Sequence, residues 1–129
     1  LLFRSKRLSD ALDPALATLI KELKERGLLD STLVIWMGEF GRTPGKGDGH
    51  YARAWSTALT GAGIKTGQVI GSTDKTGGTV AERPIDVKCF MATICQALGI
   101  DYNKEIIGRN GRPLRLVDEG ASPIQELFA

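Results

Sequence analysis

The chain has 129 residues, with 17 basic against 15 acidic side chains, one histidine and two cysteines, for a formal charge of +2. That length fits one domain spanning residues 1–129, able to bury about two thirds of its unfolded surface without disulfide or metal staples. The basic residues are dispersed rather than gathered into a stripe with interleaved aromatics, which argues against nucleic acid as a partner. The longest apolar runs, Leu33 to Met37 and the interrupted Val87 to Leu98, fall well short of the ~20 residues of a membrane helix, so no membrane partner is expected either.

The chain opens on Leu1-Leu2-Phe3-Arg4-Ser5-Lys6-Arg7, without an initiating Met or an apolar stretch followed by small residues. Such an abrupt start is expected of a piece of a longer protein. From Ser9 to Arg26 the apolar residues Leu12, Leu16, Leu19, Ile20 and Leu23 recur at three and four. Lys21, Glu22, Lys24 and Glu25 take the opposite side, which predicts an amphipathic helix covering one sheet face. Its start is either Asp13-Pro14, as cap and first residue, or Ser9; Gly27 is its stop.

Thr32 to Met37 has the β-branched and aromatic content, and the lack of alternation, of a central strand covered on both faces. Trp36 within it reads as core. Beyond a glycine-rich loop, Ala54 to Thr60 predicts a second strand ending at Gly61-Ala62-Gly63. Gln68–Gly71 and Thr79–Ala81 read as two short strands about a hairpin tip at Asp74–Gly78. Asp86 caps a helix through Phe90, Ile94 and Leu98 that Gly99 ends. Cys89 and Cys95 lie about 9 Å apart along its axis and on different faces, which reads as buried thiols and not a disulfide. Ile100 to Asn110 reads as a polar connection, Gly111 to Val117 as an edge strand, and Ser122-Pro123 as the start of a short terminal helix ending near Phe128.

The loop Gly38-Glu39-Phe40-Gly41-Arg42-Thr43-Pro44-Gly45-Lys46-Gly47-Asp48-Gly49-His50 leaves the carboxyl end of a predicted strand, where open α/β sheets place their chemistry. It gathers two carboxylates, a guanidinium and the imidazole. Its glycines are not a nucleotide cradle: Gly41 and Gly45 have one residue too few between them for a P-loop and no Ser or Thr follows Lys46, and Gly61 to Gly67 misses dinucleotide spacing. Glu39 can bind a metal, orient a base or pair with Arg42. His50 with Asp48 offers the imidazole and oxygen ligands that suit zinc, manganese or iron. The pattern contains neither a Gly-x-Ser-x-Gly elbow nor a Cys with a His partner in reach, so no nucleophile is identified. Tyr51 and Trp55 are candidates to line a pocket, and Lys65, Lys75, Arg112 and Arg115 read as solvated charges.

Four segments together carry a resemblance: Gly27 to Pro44, His50 to Trp55, Gly61 to Gly71, and Asn110-Gly111-Arg112-Pro113. Over nearly its whole length the chain is similar to the C-terminal part of the bacterial family known as domain of unknown function 1501. That family resembles the alkaline phosphatase and sulfatase superfamily. The resemblance implies an α/β fold, here the C-terminal part of a doubly wound sheet with flanking helices and a small hairpin. It further implies a divalent metal (zinc, calcium or manganese) in the parent protein, a small-molecule or carbohydrate sulfate or phosphate ester as substrate, and export to the periplasm.

By resemblance Glu39 takes the place of the acidic metal ligand and His50 that of a later histidine ligand, while Phe40 stands where a second histidine is common and Asp48 is out of register. Arg42 would steady Glu39 or the bound anion. The remaining ligands and the nucleophile would come from a missing N-terminal part of the same chain, leaving this piece inactive by itself. The alternative is a sulfatase-like module that has lost its chemistry and keeps a binding or structural role.

Overall fold

Helix α1 (Leu2–Glu25) opens the computed structural model, which describes residues 2–128. The helix begins earlier than its sequence suggests and runs through Pro14, although proline there removes one i→i−4 hydrogen bond. Around it the Thr18 hydroxyl donates to the Pro14 carbonyl at 2.7 Å, and Lys6–Asp10 and Arg26–Glu22 pairs line the exposed side. Gly27, at φ +67°, ends the helix: its N–H donates to the Lys24 carbonyl and that of Leu28 to Leu23, a Schellman closure that needs the left-handed conformation at the glycine.

The helix does not cover a sheet face. Leu16, Ile20 and Leu23 are half-buried, Leu8, Leu12 and Leu19 are exposed, and the helix packs on a 3-10 turn at Leu29–Ser31. Among the described residues no helix is long and apolar enough to cross a membrane.

Among the described residues the strands form four separate two-stranded antiparallel sheets, a mixed α/β structure with small sheets and two α-helices. β1 (Val34–Met37) pairs with β4 (Thr57–Thr60), Trp36 opposite Ala58. The expected central strand is therefore half of a lone pair, and Trp36 and Met37 are 50% and 45% exposed rather than core. β2 (Gly41–Arg42) pairs with β3 (His50–Tyr51) inside the stretch read as loop.

β5 (Ser72–Thr73) and β6 (Val80–Glu82) make the expected hairpin, with the first strand later than Gln68–Gly71. β7 (Glu105–Ile107) and β8 (Pro113–Arg115) pair across a segment expected to be a polar connection. Arg115, read as a solvated charge, lies 3.3 Å from Glu105 across that pair.

At the Asp74 tip the geometry follows the sequence closely. One carboxylate oxygen accepts from the Thr76 amide and hydroxyl and the Gly78 amide, the other from the Thr79 amide and hydroxyl, all within 2.7–3.0 Å. These donors, the Thr76 hydroxyl first, hold the Asp74 carboxyl far below the usual carboxylate range.

α2 (Val87–Ala97) starts at the Asp86 cap, whose carboxylate accepts from the Lys88 amide at 3.3 Å, and ends at Gly99 with a second Schellman closure. Cys95 is buried and Cys89 half-buried, both free thiols. The terminal helix is a 3-10 turn, Gln125–Leu127.

Two small cores flank α2. One gathers Ile64, Ile124 and Leu127 with Leu33, Leu59 and Ile85; the other gathers Ala92, Cys95 and Val117 with Tyr102 and Ala121. Thr93, fully buried, joins α2 to the terminal segment by accepting from the Ile124 amide at 2.9 Å while donating to the Cys89 carbonyl at 2.7 Å. Arg83 grips Glu126 through two bonds of 2.7 and 3.0 Å. That guanidinium holds the Glu126 carboxyl down at about 2.

Candidate functional site

The glycine-rich loop leaves the carboxyl end of β1 at Gly38 and closes on itself as the β2–β3 ribbon. Its tip is set by local bonds: the Gly47 amide donates to the Thr43 carbonyl, and Thr43 N–H to the Gly49 carbonyl. The Thr43 hydroxyl accepts from the Gly49 amide at 3.0 Å and donates to Asp48 at 3.4 Å. Gly41 is dictated by a close approach, since a Cβ there would lie inside the Ala54 carbonyl oxygen. The ribbon is thereby pressed onto the chain that follows it.

Alternation sorts the side chains. Arg42 faces His50 across the ribbon, and Phe40 lies two residues before Arg42, so all three share one face. Phe40 stacks on the His50 ring with centroids 3.8 Å apart and planes 27° from parallel, and the Arg42 guanidinium carbon lies over the Phe40 ring at 5.0 Å. The first is a close face-to-face contact, and the second lies within the reach of cation–π attraction. Tyr51 points elsewhere, donating to the Gly78 carbonyl at 2.6 Å and so tying the ribbon to the Asp74 hairpin.

Glu39, Arg42, Asp48 and His50 are all exposed. Phe40 brings Arg42 and His50 together; Asp48 is held by Thr43 at the tip. Among the described residues no salt bridge joins Glu39 to Arg42, whose partner is the aromatic ring. Nor do three His, Cys, Asp or Glu side chains among them converge to hold a metal ion. Glu39, Asp48 and His50 have the right donor chemistry for zinc or manganese but do not by themselves fit one, because a protein site needs three or four converging ligands.

The stacking role of Phe40 and the Tyr51 tether escaped sequence reasoning. The first had a signal: a two-residue offset from Arg42 in an extended segment places both on one side. The tether, spanning 27 residues, had none.

Trp55, expected to line a pocket, does so. It meets Phe90 edge-on at 5.4 Å beside a cavity of about 660 Å³ that also reaches Ala52, Arg53 and Lys65. Residues 4–128 match the model of a family described as protein of unknown function (DUF1501). No curated protein and no solved structure matches the chain.

Proposed function

Since the chain belongs to the DUF1501 family, we propose that it forms part of a metal-dependent hydrolase of sulfate or phosphate esters, with the ribbon from Glu39 to His50 as one wall of the site. The observation that carries this reading is the pairing of Arg42 with His50 on one exposed face, just beyond the carboxyl end of β1. The planar fork of Arg42 matches two oxygens of an ester anion. His50, alongside it, would offer an imidazole nitrogen to the same divalent ion as Glu39. Stacking on Phe40 fixes the imidazole plane in advance, so less freedom is lost when an ester docks.

Glu39 is the carboxylate offered to a divalent ion, with Asp48 as the more remote candidate. Such an ion would polarise the ester oxygens and neutralise developing charge. Because the ligands of this chain do not close a shell, the proposal places the others, the nucleophile and the remaining strands of a sulfatase-like doubly wound sheet outside these residues. The 129-residue chain by itself is then inactive.

The test uses the full-length natural protein, its bound metal measured by mass spectrometry and its turnover of 4-nitrophenyl phosphate and 4-nitrophenyl sulfate followed. Stoichiometric metal is expected, with turnover reduced at least ~100-fold by Glu39→Ala, Arg42→Ala or His50→Ala. Absence of metal together with unchanged behaviour in these variants overturns the reading. A second reading is favoured by the Phe40–His50 stack and the open ligand set: a module that has kept an anion-binding ribbon and lost turnover. It predicts ester binding without hydrolysis.

A further inference from the structure

The cavity of about 660 Å³ beside Trp55 lies within the range typical of small-molecule sites. Its floor is apolar: Phe90, Ile124, Leu127 and Ala54 are buried there, and Trp55 meets Phe90 edge-on at 89°. Charges at its margin are unevenly matched. Arg83 is spent on Glu126, and the lining carboxylate, Asp86, caps α2. Arg53 and Lys65 are exposed and have no ion-pair partner among the described residues. With Arg83 paired to Glu126, the lining carries Arg53 and Lys65 against Asp86 alone, a net positive charge over an apolar floor that selects an occupant with an apolar body and a negative group.

We propose that this cavity binds a small organic anion with a flat or branched apolar body. Ala52, on its wall, follows His50 by two residues, which keeps the two Cα atoms within about 7 Å. The organic part of an aryl or alkyl ester is therefore the ligand class that reaches both the cavity and the ribbon. That link to turnover rests on the hydrolase reading; the binding itself does not.

Trp36 and Trp55 are the two tryptophans of these 129 residues, so in a ¹⁵N-labelled sample of the full-length natural protein their indole N–H signals are assigned by Trp36→Phe and Trp55→Phe. Naphthalene-1-sulfonate is titrated in as the anionic probe and naphthalene-1-methylamine as the cation of like shape. The Trp55 signal is expected to move while that of Trp36 stays. The sulfonate should bind at least about fivefold tighter than the amine, and Lys65→Glu and Arg53→Glu, both at exposed positions, should each weaken it several-fold. Glu39→Ala should leave probe affinity unchanged even where it abolishes ester turnover, which separates failure of the cavity assignment from failure of the hydrolase reading. A Trp55 signal unmoved at millimolar probe, equal affinity for anion and cation, or indifference to both charge reversals overturns the proposal.

Discussion

Thr93 does with one hydroxyl what neither core does alone. Fully buried, it satisfies the Ile124 amide and the Cys89 carbonyl at once, joining α2 to the terminal segment. Thr93→Val keeps the shape but leaves the Ile124 amide without its acceptor. An unsatisfied buried donor costs about 1–3 kcal/mol, so thermal or urea unfolding should show a loss of that size. Thr93→Ser, which retains the hydroxyl and gives up a methyl, should lose less than Thr93→Val. Gly41 is constrained by space alone, since the Ala54 carbonyl leaves no room for a Cβ. The same carbonyl sets how closely the ribbon lies on the chain that leads to the cavity.

Among the elements, those written in short-range chemistry were the readable ones. Asp86 and Gly99 bound α2 where the capping rules place them, and Asp74 with its threonines and glycines marks the β5–β6 tip. The body and Gly27 stop of α1 were readable, but its start at Leu2 was not, because the local rule for proline competes with the rest of the helix: 24 residues of helix outweigh one missing hydrogen bond. Pro14→Ala should therefore raise helicity by circular dichroism and stabilise α1 by up to about 3 kcal/mol. β1 forms where its composition puts it, but its surroundings differ from those expected, for the opposite reason. Val34, Ile35, Trp36 and Met37 have the composition of a strand covered on both faces, yet the sheet they enter has two strands. The candidate site is legible in sequence only as a set of residue types, Glu39, Arg42, Asp48 and His50, whose roles are proposals. It was not readable as a geometry, because two-residue strands leave no periodic trace and the Phe40–His50 stack depends on their register.

At the scale of the whole molecule, the accessible surface of 9,676 Å² exceeds the roughly 6,700 Å² of a compact protein of 13.9 kDa. The chain thus buries about half of its unfolded surface, not the two thirds expected from its length. Because the slope of stability against denaturant follows the area exposed on unfolding, the urea m-value should be about a fifth below that of a compact domain of equal length. A chevron or equilibrium titration measures it directly; an m-value at the compact-domain norm would contradict the open structure. The bond from Tyr51 to Gly78 then has a consequence in time. The Asp74 hairpin is local and can form within microseconds, whereas the tether must first close a loop of 27 residues and finds its acceptor only once that hairpin exists. The ribbon carrying Arg42 and His50 is therefore expected to be tied down only after the hairpin forms, and Asp74→Ala, by slowing the hairpin, should delay that step in stopped-flow refolding.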